Sequence, residues 1–143
     1  MKKYIFLFAL LFTGYNGFAQ DSTVAFGPLH SGRHLVFFAS GTIIHQVFFW
    51  LEHPDSMEDK AELKKGLETL SGISEVQMLA TGEPASTMKR EVVVSDWDVS
   101  ETMYFGSTED QDIYQNHPLH QAFIKEYGHL WKKVVVYDIR IDN

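Results

Sequence analysis

The 143-residue sequence contains no cysteine and few cations. Without cysteine, the chain has no disulfide, no thiolate nucleophile and no cysteine-based metal site. Its 12 Lys and Arg residues stand against 19 Asp and Glu residues, which gives a formal net charge of -7. Because a protein that follows a nucleic-acid backbone needs clustered cations to release counterions, the charge balance predicts that nucleic acid is not a partner.

Several catalytic signatures are also missing. Gly66, Gly72 and Gly82 are isolated residues at turns or helix ends, so they do not form a glycine-rich phosphate loop. Ser, His and Asp residues do not occur in an order whose context supports a nucleophile. The acidic residues of the predicted helices lack the setting of a paired-carboxylate site. The sequence therefore predicts no bound cofactor.

The first 19 residues are typical of a signal peptide. Two lysines at positions 2 and 3 precede an apolar run over residues 4–12, and residues 17–19 have the small-residue spacing that a signal peptidase recognises. We expect cleavage before Gln20. The apolar run is shorter than the roughly 20 residues needed to span a bilayer. The mature protein is therefore expected to be periplasmic or secreted, with no membrane association after signal-peptide removal.

The rest of the chain is expected to hold one domain. A composition of 45% hydrophobic and 14% aromatic residues fits one globular core. Residues 20–41 are predicted to be a lead-in and linker, since their glycines and proline interrupt any apolar period. Within them, residues 35–39 form either an apolar linker or an added edge strand. The domain itself is assigned to residues 42–143.

Periodicity and capping signals predict the elements of this domain. Strands are expected over residues 42–51, 75–81, 99–105 and 133–141. Ser56 and Ser107, each with an aspartate three residues later, are predicted to begin the two helical regions. Residues 82–98 are predicted to be a long loop, in which residues 92–94 are a candidate short strand.

The order strand, helix, strand, strand, helix, strand is that of the ferredoxin-like α+β class, βαββαβ. Both helices would cover one face of the sheet and leave the other bare. Phe48, Trp50, Val99 and Val136 are too apolar to leave that bare face in water. We therefore expect a homodimer, a dimeric α+β barrel in which a second copy covers it. A cleft between sheet and helices, or the barrel interior, would hold a small, largely apolar ligand.

One short motif concentrates groups that can transfer protons near neutral pH. Pro118 lacks an N–H and disfavours a helical conformation at His117, so one helix should end there and another begin. Tyr114, His117 and His120 are spaced by three residues, which favours one common side. A purely structural role, with the histidines as caps and the tyrosine as a packed wedge, remains an alternative.

Three segments resemble the stress-responsive A/B barrel (Dabb) family. Residues 44–50, IHQVFFW, resemble the family's opening strand, in which a histidine leads an alternating apolar run. Residues 114–120, with the pattern Y-x-x-H-P-x-H, resemble its central signature, and residues 134–138 resemble its closing strand, which ends in aspartate. The resemblance implies a dimeric α+β barrel, and most members of the family have no assigned activity.

One plant member, olivetolic acid cyclase, closes a polyketide chain by an aldol reaction without metal or cofactor. The resemblance to its active-site pattern implies that His120 is a general base and that Tyr114 polarises or protonates the substrate oxygen. It also implies that His45 lines the same pocket, that Asp138 orients a histidine, and that His117 is structural. An imidazole, with an unperturbed pKa of about 6.5, is suited to remove a proton from carbon between two carbonyls.

These patterns leave three classes of function. The first is an exported Dabb-domain dimer that binds a small, largely apolar ligand. Its enzymatic version is a cofactor-free cyclase, lyase or isomerase that uses His120 as base, and binding with or without catalysis stays open at this point. The second is a non-catalytic, stress-associated binding module. The third is a metal-binding protein, which would use His45, His117, His120 and Asp138 as ligands. We favour the first and expect no metal.

Overall fold

A computed structural model of the chain describes residues 25–28 and 34–142. The predicted signal peptide, residues 1–19, and its cleavage site lie outside these residues. Among the residues described, no helix has both the length and the apolar character needed to cross a bilayer.

The described residues form six strands and three α-helices. In chain order they are β1 (Ala25–Pro28), β2 (His34–Phe37), β3 (Ile43–Leu51), α1 (Met57–Thr69), β4 (Met78–Gly82), β5 (Val99–Phe105), α2 (Thr108–Asn116), α3 (Pro118–Tyr127) and β6 (Trp131–Arg140). From β3 onward this is the predicted ferredoxin-like βαββαβ order, with the second helix divided into α2 and α3. The fold class is therefore confirmed.

An antiparallel four-stranded sheet, ordered β4-β5-β3-β6, carries the domain. The central strand β3 places His45 opposite Met103 of β5 and opposite Asp138 of β6. Every second residue of β3, from Ile43 to Leu51, is buried against the helices. The helix-facing side of the sheet therefore holds the core, and it is also the side on which His45 lies.

Side-chain caps begin the helices at the predicted residues. Ser56 Oγ accepts a hydrogen bond from the Asp59 N–H at 3.0 Å, and Ser107 Oγ accepts one from the Asp110 N–H at 3.1 Å. Each cap satisfies one of the donors that a helix start leaves unpaired. Leu63 and Leu67 of α1 are fully buried against the sheet.

The proline break divides α2 from α3 as the sequence predicts. His117 adopts an extended conformation, with φ -68° and ψ 137°, and α3 starts at Pro118. The His117 Nδ1 accepts a hydrogen bond from the Leu119 N–H at 3.2 Å, so this histidine is the N-cap of α3. After the break, His120 in the first turn of α3 lies beside Tyr114 of α2.

Two strand predictions need correction. The second predicted strand begins at Met78 instead of residue 75, because the Val76 N–H donates to the Ile73 carbonyl in a turn and is lost to the ladder. Residues 92–94 are not a strand. The Val93 N–H donates to the Arg90 carbonyl at 3.0 Å, and Val92 and Val94 lie exposed in the loop.

The lead-in also differs from an irregular linker. Residues 34–37 do form a strand, but it pairs antiparallel with residues 25–28 in a separate two-stranded sheet. It is therefore not an added edge strand of the main sheet.

The helix-free face of the sheet is less bare than expected. Phe48 and Trp50 lie on it, whereas Val99 and Val136 lie on the helix-facing side, because their positions pair with buried residues of β3. Trp97 of the long loop packs edge-on against Phe48, with ring centroids 5.0 Å apart. The loop therefore crosses the helix-free face and does not obstruct the side that carries His45.

The packing of α1 against α3 leaves no room for a methyl group at Gly66. A Cβ built there would lie 2.8 Å from the ring of Tyr127. Alanine normally favours a helix over glycine by about 1 kcal/mol, but this overlap forces a shift of α3 that costs about 1–3 kcal/mol. We expect Gly66→Ala to lower the free energy of unfolding in a urea titration. Gly72→Ala is the control, since its Cβ would meet Leu119 at an ordinary 3.6 Å. Equal stability of the two variants would contradict the close packing.

Candidate functional site

A cavity of about 270 Å³ lies between the helix-facing side of the sheet and the α2–α3 bend. Its polar lining residues are His45, Glu101, Tyr114, Gln115 and His120. The remaining lining is largely apolar and includes Val47, Phe123, Trp131, Val134 and Val136. The arrangement suits a small apolar ligand with a few polar atoms.

The structure brings three of the predicted site residues together around this cavity. The rings of His45 and Tyr114 meet edge-on, with centroids 5.8 Å apart. The rings of Tyr114 and His120 lie closer, with centroids 4.4 Å apart. Residues from β3, α2 and α3 thus converge, although His45 is separated from the other two by about half of the chain.

Asp138, the fourth predicted residue, contacts His45 from the neighbouring strand. Its Oδ1 lies 2.6 Å from the His45 Nδ1, and the pairing follows directly from the register of β3 and β6. The carboxylate accepts the Nδ1–H, which leaves Nε2 of a neutral His45 ring with the free lone pair. Asp138 itself does not line the cavity, so it acts on a ligand only through the orientation of His45.

The environment of His120 suits a base. Its Nδ1 lies 3.1 Å from the Gln115 carbonyl oxygen. Because a carbonyl can only accept, Nδ1 carries the proton and Nε2 holds the lone pair. Burial lowers the pKa of His120, the bond to Gln115 opposes that change, and the nearby ring of His45 adds to the lowering. The ring is therefore in its neutral, proton-accepting form near pH 7.

Tyr114 has the opposite character. Its side chain is only 1% exposed, and burial together with the nearby Glu101 carboxyl raises its pKa far above the usual value. The phenol therefore keeps its proton throughout the physiological range. It can donate a hydrogen bond to an oxygen in the cavity, but it does not act as a base there.

Glu101 is a polar residue of the cavity that the sequence analysis did not identify. It lies on β5 opposite Val47 and is 2% exposed. Burial raises the pKa of its carboxyl to about 8. One signal was present in the sequence, since Glu101 alternates in phase with Val99, Met103 and Phe105 and therefore belongs to the buried face of its strand.

The proposed metal ligands do not form a cluster. His117 is turned to the N-terminus of α3, where it caps the helix, and it is absent from the cavity lining. Within residues 25–28 and 34–142, no group of three or more His, Cys, Asp or Glu side chains is placed to hold a metal ion. The interpretation that uses His45, His117, His120 and Asp138 together is therefore not supported by their positions.

Comparison with known proteins gives a family match over most of the chain. The profile of the Stress responsive A/B Barrel Domain family, Dabb, matches residues 43–141. These residues contain the whole four-stranded sheet and all three α-helices. No curated protein matches the chain.

Three solved structures illustrate the fold. A Dabb family protein with a ferredoxin-like fold from Mesorhizobium loti has 25% identity and a TM-score of 0.58, and the match covers 72% of this chain and 99% of that one. A dimeric ferredoxin-like protein of unknown function from Thermobifida fusca has 17% identity and a TM-score of 0.58, with 73% and 95% covered. The hydroxynitrile lyase of Passiflora edulis has 18% identity and a TM-score of 0.62, with 73% and 96% covered.

Proposed function

The chain belongs to the Stress responsive A/B Barrel Domain (Dabb) family, and from this membership and the cavity we propose that it binds a small, largely apolar ligand and catalyses a cofactor-free proton transfer on it. The observation that carries the proposal is the convergence of His45, Tyr114 and His120 on one cavity with an apolar lining. Such a group of titratable side chains in a concave apolar site is the usual mark of an active site.

In the proposed reaction, His120 is the general base and Tyr114 the hydrogen-bond donor. The Nε2 of His120 removes a proton from a substrate C–H next to a carbonyl, or from the hydroxyl of a hydroxynitrile. The Tyr114 O–H stabilises the substrate oxygen that gains negative charge. In a hydroxynitrile, the electron pair of the O–H bond forms the carbonyl, the C–CN bond breaks, and the leaving cyanide takes the proton from His120.

His45 and Asp138 complete this proposal as a positioning pair. The bond from His45 Nδ1–H to the Asp138 carboxylate fixes the ring of His45 at the cavity wall. A ring held in this way presents its Nε2 to the ligand in one orientation. These roles are carried over from the resemblance to olivetolic acid cyclase. The cyclase, lyase and isomerase versions of the chemistry differ in the bond formed or broken after the proton is removed.

Two simple compounds test the proposed activity. Mandelonitrile, an aromatic hydroxynitrile, would release benzaldehyde, and benzoylacetone would exchange its central C–H for deuterium in D₂O. We expect the protein to accelerate at least one of these reactions over buffer. Val136→Trp, which fills the cavity from its edge, is expected to reduce the rate at least about tenfold, because the substrate is excluded.

The control is Ile113→Trp, which enlarges an exposed side chain of α2 that does not line the cavity. Equal rates for wild type and Val136→Trp would contradict catalysis in this cavity. Binding of both compounds without turnover would favour the alternative function, a non-catalytic binding module.

The proposal includes a homodimer formed through the helix-free face of the sheet. Tyr137 and Ile139 of β6 are 57% and 43% exposed on that face, and dimeric structural relatives share this fold. Burying such side chains in a second copy removes apolar area from water. We expect a dimer in analytical ultracentrifugation and a shift to monomer in Tyr137→Glu. Ile113→Glu, on the helix side, should remain dimeric, and a wild-type monomer would contradict the interface.

Export is also part of the proposed function. Its support is the sequence of residues 1–19, which has the charged start, the apolar run and the small residues of a cleavable signal peptide. A periplasmic or secreted protein would meet its ligand outside the cytoplasm.

A further inference from the structure

Glu101 is a buried carboxyl whose side chain has no role in the proton transfer described above. Its Oε1 has no hydrogen-bond partner among the described residues. A buried polar atom left without a partner costs about 1–3 kcal/mol, and such atoms in native proteins need an explanation. Here the carboxyl lines the cavity, so a ligand can supply the missing partner.

The surroundings of Glu101 decide its charge. The side chains that surround Glu101 are Val47 of β3, Tyr114 of α2 and the two cavity histidines, His45 and His120. None of these forms an ion pair with it among the described residues. His45 is bonded to Asp138, His120 is in its neutral form, and Tyr114 is protonated. On the remaining sides, Thr81 of β4 lies opposite Glu101, and Lys60 of α1 pairs with Asp98 instead.

A carboxyl in this setting is neutral at pH 7, because burial without a cation disfavours the ionised form. A neutral carboxyl differs from a carboxylate in having an O–H to donate. In this largely apolar cavity, the O–H of Glu101 can donate a hydrogen bond to an acceptor atom of a bound ligand.

We propose that Glu101 is a ligand-binding residue that donates its carboxyl O–H to a carbonyl oxygen of the ligand, so that the cavity selects ketones and related carbonyl compounds over hydrocarbons and amines of the same shape. This inference rests on the proposed function and deepens it. A carbonyl held by Glu101, together with the phenol of Tyr114, would present its neighbouring C–H bonds to the Nε2 of His120. The substrate class of the site is then an apolar carbonyl compound.

Three probes with the same carbon skeleton separate the alternatives. Acetophenone carries a carbonyl, ethylbenzene carries no polar group, and 1-phenylethylamine carries a cation at neutral pH. With the full-length mature protein at pH 6.5, we expect acetophenone to bind about 3- to 10-fold more tightly than ethylbenzene, the advantage of one hydrogen bond. We expect the amine to bind most weakly. The order can be measured by calorimetric titration or by displacement of a fluorescent probe.

Two variants assign the preference to Glu101. Glu101→Gln retains a donor in the same place and should keep the preference for acetophenone. Glu101→Leu loses this donor and should prefer acetophenone several-fold less than the wild type does, since only the phenol of Tyr114 is left to bind the carbonyl oxygen. In the wild type the preference should also decline above about pH 8, as the carboxyl ionises, and it should not decline in Glu101→Gln. This pH comparison needs no destabilising substitution.

An infrared difference spectrum gives a readout that is independent of affinity. The wild type at pH 6.5 should show the C=O band of a protonated carboxyl that is absent from Glu101→Gln and that shifts when acetophenone is added. The donor role of Glu101 would be overturned if the wild type bound 1-phenylethylamine more tightly than acetophenone, or bound acetophenone and ethylbenzene equally. Either result would still be compatible with a ligand site in this cavity. Failure of all three probes to bind would overturn the proposed function itself and this inference with it.

Discussion

Replacement of Glu101 by glutamine is expected to stabilise the fold strongly at alkaline pH and little at acidic pH. The pKa of the Glu101 carboxyl is about 8 in the folded protein and 4.5 in an unfolded chain. Below about pH 4.5 both states hold the proton, so proton release contributes nothing to the difference in stability. As the pH rises from 4.5 to 8, the unfolded state releases the proton and the folded state does not, so wild-type stability falls. Each unit of pKa difference is worth about 1.4 kcal/mol, which amounts to roughly 5 kcal/mol once the pH passes 8.

The measurement is urea unfolding of wild type and Glu101→Gln at a series of pH values. The difference in free energy of unfolding should be small near pH 4 and should grow to several kcal/mol in favour of the variant near pH 8. Glu68→Gln, which removes an exposed carboxyl on α1, should follow the wild type at every pH. Parallel curves for wild type and Glu101→Gln would show that this carboxyl is not buried as described.

Replacement of His120 by glutamine is expected to reduce turnover about 100- to 10,000-fold, the usual contribution of a general base. Glutamine preserves much of the size and the hydrogen-bonding capacity of the ring but cannot accept a proton at neutral pH. Substrate binding should therefore change by only a few-fold. The rate of the wild type should also fall at acidic pH, with its midpoint below the ordinary histidine pKa of about 6.5, because burial lowers the pKa of His120.

His129→Gln is the matched control, since His129 is exposed, bonds to the Glu126 carbonyl and does not line the cavity. It should retain both the rate and the pH profile. If His120→Gln keeps the wild-type rate on mandelonitrile and benzoylacetone, His120 is not the base, and the cavity acts by another group or only binds.

Local signals in the sequence were sufficient for much of the fold. The serine caps, the buried leucines of α1 and the break at Pro118 follow from short-range chemistry, and the structure confirms each of them. The resemblance to the Dabb family implied that His45 lines the pocket, and His45 lies on the buried side of β3. Once β3 and β6 pair in their observed register, the contact between His45 and Asp138 follows without any further constraint.

The features that the sequence did not reveal have three separate causes. The start of β4 is decided by a turn at Val76, which competes with a strand-like alternation. The path of the long loop is decided by the packing of Trp97 on Phe48, a contact across 49 positions. Glu101 was overlooked because a single glutamate in a strand is ordinarily solvent-facing, and only the phase of its neighbours indicates burial.

The central claim is that His45 and His120 contact a ligand in one cavity, and histidine-ring NMR tests it most directly. With ¹⁵N-labelled histidines, titration with benzoylacetone should shift the ring signals of His45 and His120 along one common binding curve. The exposed rings of His53 and His129 should stay unchanged, which provides an internal control. If the probe saturates the protein, as judged from its own signals, while the rings of His45 and His120 remain unshifted, the site described here is not where the ligand binds.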